Sequence, residues 1–74
     1  MDRIKPGVYK HYKGKLYLFL FEGFDSDNLE PVVVYQGLYN SEEFGDRPIW
    51  VRPKKEFIDD KEGVKRFEWV QETE

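Results

Sequence analysis

Apolar and polar residues follow a period of two along most of this chain. Val8-Tyr9-Lys10-His11-Tyr12, Leu16 through Phe21 and Val32-Val33-Val34-Tyr35 are the clearest strand-like stretches. Successive strand side chains point to opposite faces, so this period predicts β-structure. Strands are expected at Val8–Tyr12, Leu16–Phe24, Val32–Tyr39, Ile49–Arg52 and Val64–Val70. Turn signals separate them. Pro6-Gly7 opens the first, and Lys13-Gly14-Lys15 is a tight turn. Asp25 to Asn28 is a polar loop, and Pro31 sits where a strand begins and a missing N–H does least harm. The segment Asn40 to Asp46 is an acidic connection carrying one ring, Phe44. Pro53 ends the fourth strand, and Asp60 to Gly63 forms the last turn.

No helical period is present beyond a single helical or 3₁₀ turn near residues 54–58. The expected fold is all-β: a small curved five-stranded antiparallel sheet or an SH3-like barrel. Closure removes exposed edges. An open sheet that dimerises is the alternative. The second strand favours it, because both of its alternating sets, Leu16/Leu18/Leu20 and Tyr17/Phe19/Phe21, are apolar. Gly23 and Gly37 are expected to mark bulges or bends. Residues 1–74 read as one domain, with 1–4 and 71–74 frayed.

Composition sharpens this picture. Two Trp, five Tyr and six Phe occur in 74 residues. A domain of this size buries only about 60% of its unfolded surface and is stable by about 4–11 kcal/mol. It cannot bury that many rings, so some are expected on a binding surface. The absence of cysteine excludes disulfides and thiolate metal sites. No apolar leader follows Met1 and no run is long enough to span a bilayer, so a cytoplasmic location is expected. Net charge is −3, which does not suggest a general nucleic-acid binder. The first seventeen residues nevertheless carry Arg3, Lys5, Lys10, Lys13 and Lys15 against Asp2 alone. Lys5, Lys10, Lys13 and Lys15 are therefore a candidate basic rim.

Several motifs occur together: Pro6-Gly7-Val8-Tyr9-Lys10-His11-Tyr12-Lys13-Gly14, Val33-Val34-Tyr35 with Leu38-Tyr39, Trp50-Val51-Arg52-Pro53 with Phe57, and Arg66-Phe67-Glu68. In this order they resemble a family of short bacterial domains, domain of unknown function 1653, over residues 5–68. The resemblance implies a small, mainly β bacterial protein and no particular activity. The chain departs from the family pattern at Phe24-Asp25, where members often carry Arg-His. Glu22 stands at a usually apolar position and Leu18 at a usually polar one. The outer face of the second strand is therefore expected to differ from its relatives.

Candidate chemistry is sparse, and no catalytic residue is assigned. His11 is the one histidine. It lies on a strand between Lys10 and Tyr12, and a packed strand histidine is favoured over a general base. Ser26 and Ser41 sit in acidic loops with no histidine nearby in sequence, so no nucleophile motif is present. Counting a calcium loop from Asp25 places Glu30 and Gln36 where Gly and Glu are required. No metal or cofactor is expected. The remaining constellation is Tyr9, His11, Tyr35, Trp50 and Arg52, aromatic groups beside a guanidinium that are able to stack a planar ligand or a peptide proline. The competing role for Trp50 is the core, and for Arg52 an ion pair with Glu56 or Glu30. A non-enzymatic binding module for a protein or peptide partner, or for self-association, is the leading expectation. Single-stranded nucleic-acid or nucleotide binding through stacked rings and the basic rim is the second.

Overall fold

The computed structural model describes residues 4–61 and 63–72 of the chain. Its strands are β1 (Val8–His11), β2 (Leu16–Phe24), β3 (Pro31–Gly37), β4 (Asn40–Ser41), β5 (Gly45–Asp46) and β6 (Ile49–Pro53). The single-turn helix α1 (Lys54–Phe57) follows, and then β7 (Asp60–Lys61), β8 (Val64–Lys65) and β9 (Phe67–Gln71). Five strands form one antiparallel sheet in the order β6-β3-β2-β1-β9, and β4/β5 and β7/β8 are short hairpin ribbons. The sheet is curved, and its edge strands are β6 and β9.

The curvature is visible in ring distances. Tyr35 on β3 and Phe67 on β9 are three strand spacings apart, about 14 Å on a flat sheet, yet their ring centroids are 5.3 Å apart. Arg52 on β6 and Phe67 on β9 occupy opposite edges, and the guanidinium carbon lies 5.6 Å from the Phe67 ring centroid. The edges thus meet through side chains across the concave face. Bulges supply the bend: the β2–β3 register shifts between Phe19 and Phe21, and the β1–β9 register between Val8 and Tyr9.

The β2 bulge corrects the expected sorting of that strand. Phe21 pairs with Val34 and Glu22 with Val33. Phe21 therefore joins Val34 on the convex face instead of following Tyr17 and Phe19 inward. Glu22 turns inward, where it pairs with Lys54 at 2.8 Å and accepts a bond from the Ile4 N–H at 3.4 Å. One extra residue at Leu20 inverts the parity of everything after it. The bulge lies at Leu20, not at Gly23 or Gly37.

Other boundaries also move. The third strand stops at Gly37, the acidic connection contains the β4/β5 hairpin, and the last expected strand breaks at Arg66 into β8 and β9. Ile4 belongs to the buried core and Gln71 to β9, so neither behaves as a frayed end. Glu72 is exposed and follows β9 outside any strand; residues 1–3, 73 and 74 of the expected frayed ends, and Glu62 of the last turn, lie outside the described residues.

Helix α1 is too short to persist alone. Pro53, at φ −55°, gives up no useful N–H at its start, and Phe57 holds it in place. The Phe57 ring stacks on Phe67 at 4.4 Å and meets Tyr9 edge-on at 5.2 Å. Ile4, Tyr9, Val33, Tyr35, Phe57 and Phe67 make the core. Truncating Phe57 to Ala removes the contact that joins helix to sheet. We expect a loss of about 3–5 kcal/mol, a large fraction of the total stability, measured by urea denaturation.

Candidate functional site

Helix α1 covers one end of the concave face. The other end, over β1, β2, β3 and β6, presents a row of polar-tipped rings. Cross-strand pairing sets Tyr17 beside Gly37 and Tyr35 beside Trp50. Gly37 is essential to this row, because a Cβ there would lie 2.5 Å from Cε2 of Tyr39. Without one, the Tyr39 ring folds back over β3. Its hydroxyl then accepts a bond from Trp50 Nε1–H at 3.0 Å and meets the Tyr17 hydroxyl at 3.4 Å. Lys15 Nζ sits 4.3 Å from the Tyr39 ring centroid. Phe44, on the β4/β5 turn, is 56% exposed. Its ring packs edge-on against Trp50 at 5.1 Å, and its N–H donates to Ser41 Oγ at 3.0 Å.

Arg52 bridges the two ends of the face. Its Nε donates to the Tyr35 hydroxyl at 3.1 Å, and Nη1 pairs with Glu56 at 3.5 Å one helical turn on. Glu56, not Glu30, is the partner. His11 packs against Phe67 at 4.9 Å and faces Tyr17 at 6.3 Å. Its Nδ1 accepts the Lys13 N–H at 3.1 Å, which braces the turn that Gly14 closes at φ 110°. Burial pushes the His11 pKa below 6.5, and the charges of Arg52, Lys13 and Arg66 lower it further. The accepted bond also needs an unprotonated Nδ1, so neutral His11 presents Nε2–H. Burial, together with the Tyr39 contact, pushes the Tyr17 phenol well above its ordinary range. The row is thus phenol hydroxyls, an indole and an imidazole beside a guanidinium. Such a surface stacks flat groups and exchanges hydrogen bonds with carbonyls or carboxylates.

The five candidate residues separate into two groups. Tyr35, Trp50 and Arg52 are adjacent, and His11 lies across Phe67 and Tyr17 from them. Tyr9 and Tyr35 are core rings, 8% and 4% exposed, and Tyr9 donates to the Lys5 carbonyl at 2.6 Å. Trp50 is half-buried. The four lysines do not form one rim. Lys5 caps Trp69 at 3.6 Å, Lys15 caps Tyr39, Lys13 lies 5.9 Å from Tyr12, and Lys10 projects from the convex face. In the Asp25 loop, carboxylate and amide oxygens are engaged by backbone: Asp25 Oδ1 accepts from Asp27 N–H and Asn28 Oδ1 from Glu30 N–H.

Tyr17, Tyr39 and Phe44 complete the row but were absent from the sequence-based set. Tyr17 sits in a strand apolar on both sides, so nothing distinguished it. The Gly37-x-Tyr39 spacing was the one available signal for Tyr39. An apolar groove at the far end of the sheet, lined by Phe24, Pro31, Pro53 and Ile58 beside the Glu22–Lys54 pair, was also not foreseen.

The chain matches, over residues 7–69, the family model described as protein of unknown function (DUF1653). It is similar to a solved structure, a protein belonging to DUF1653 from Bordetella bronchiseptica. The identity is 32%, the TM-score is 0.81, and the match covers 100% of this chain and 96% of that one. No curated protein matches.

Two outcomes follow from this geometry. A His11 titration by NMR should give a midpoint below 6.5. The folded state then binds fewer protons than the unfolded chain as pH falls through 6.5, so stability is present above that pH and declines below it. A His11→Gln variant should flatten that decline. Gly37→Ala should displace the Tyr39 ring, seen as loss of the slowly exchanging Trp50 indole proton.

Proposed function

The chain belongs to the DUF1653 family, and we propose that it is a non-catalytic binding module whose contact surface for a protein or peptide partner is the open end of the concave face. One observation carries this reading. Half-buried Trp50 and Tyr39, exposed Phe44 and the Arg52 guanidinium share one surface, and hydrogen bonds already hold Trp50, Tyr39 and Arg52 in place. Rings held this way lose little rotamer freedom on binding, as favours recognition anchors. A proline or flat side chain of a partner stacks on Trp50 and Phe44, and its backbone carbonyls accept from Arg52 or His11.

The chemistry around His11 supports the non-catalytic part. The charges that shift it are cations, its Nδ1 is held by a backbone amide, and Ser26 and Ser41 belong to other loops. A general base acts through a free ring lone pair, and the Nδ1 lone pair of neutral His11 is engaged by the Lys13 N–H. Dispersal of the lysines onto separate rings gives the nucleic-acid reading less support, since a phosphate chain needs a continuous basic track.

The test is selection from a display library of random linear peptides, followed by titration of the selected sequences. Phe44→Ala and Trp50→Phe should each weaken binding about tenfold, about 1.4 kcal/mol, with the denaturation midpoint of Phe44→Ala unchanged. Selected peptides indifferent to both substitutions would refute this surface. Steeply salt-dependent binding of a mixed single-stranded oligonucleotide to the same residues would replace the peptide reading.

A further inference from the structure

Among the described residues, the convex face of the sheet is apolar and exposed. Cross-strand pairing aligns Phe21, Val34 and Val51 in one row, with Leu18, Gln36 and Ile49 in the next. Leu16 extends the patch. Phe21 is 58% and Val51 64% exposed. Leu16 and Ile49 are 40% and 54% exposed, and Val8 and Val32 flank the patch. Large apolar side chains exposed side by side mark an interaction surface.

We propose that this face is the interface of a homodimer, its occupant being the same face of a second copy. The area favours that occupant. An isologous contact buries the patch twice, once on each copy, which doubles its contribution toward the roughly 1,000 Å² total that a specific interface needs. Charge favours it as well. Lys10 and Glu68, the charged strand residues that project from this face, are cross-strand partners of opposite sign. The strand charges of this face thus balance, so neither copy presents a net field of one sign to the other, and the centre of the patch carries no charge to desolvate. The bulge at Leu20 creates the patch by sending Phe21 outward and Glu22 inward. This dimer is independent of the peptide-binding reading, because the two surfaces lie on opposite sides of one sheet.

The test is sedimentation equilibrium of the full chain between about 1 µM and 1 mM. Wild type should pass from monomer to dimer within that range. Val51→Glu or Phe21→Asp, both at exposed positions, should raise the dimer Kd about 100-fold or more while near-UV circular dichroism stays native. A wild type that stays monomeric at 1 mM overturns the proposal. So does a dimer indifferent to both natively folded variants. If the wild-type monomer instead co-floats with phosphatidylcholine vesicles and Phe21→Asp abolishes that flotation, the face belongs to a lipid surface and the proposal fails.

Discussion

The stack of Phe57 on Phe67, with Tyr35 and Tyr9 packed around it, is the contact on which the rest of the structure depends. Five strands laid flat would hold β3 and β9 about 14 Å apart and leave little room for a shared core. Curling the sheet brings Tyr35 to 5.3 Å from Phe67 and lets a single helical turn close one end with one ring. A chain of 74 residues has no second layer with which to cover both faces. It buries the concave face by bending around six side chains, and the convex face remains apolar and open.

Curvature also determines what the concave face offers. The core end is sealed by Phe57, whereas the opposite end is occupied by rings with polar tips. Their hydroxyl, indole and guanidinium groups are satisfied by one another, which makes partial burial tolerable. Arg52 belongs to both ends. It reaches across the sheet toward Phe67, binds Tyr35 in the core and pairs with Glu56 on the helix. Its position ties the shape of the open surface to the integrity of the core.

The period of two made the five principal strands legible, along with most turns and the helical turn after Pro53. The site was legible only in part. Alternation along residues 49–52 places Trp50 and Arg52 on one face, whereas Tyr35 comes beside Trp50 only through the pairing of β3 with β6. Tyr9 looked equivalent by the same rule, yet the curl carries it into the core beneath Phe57. Tyr17 and Tyr39 take their roles from contacts among residues 17, 39 and 50, for which the Gly37-x-Tyr39 spacing is the single local sign.

Residue order alone determined the strand period, the turns at Gly14 and Pro53, the lack of thiol chemistry and the family to which the chain belongs. Those properties rest on backbone preference and composition, which act within a few residues. The tertiary structure decided which face each residue occupies after Leu20, which rings are core and which are surface, and where each lysine rests. Such outcomes depend on one bulge and on sheet curvature, which arise only when strands distant in sequence pair and pull their side chains together.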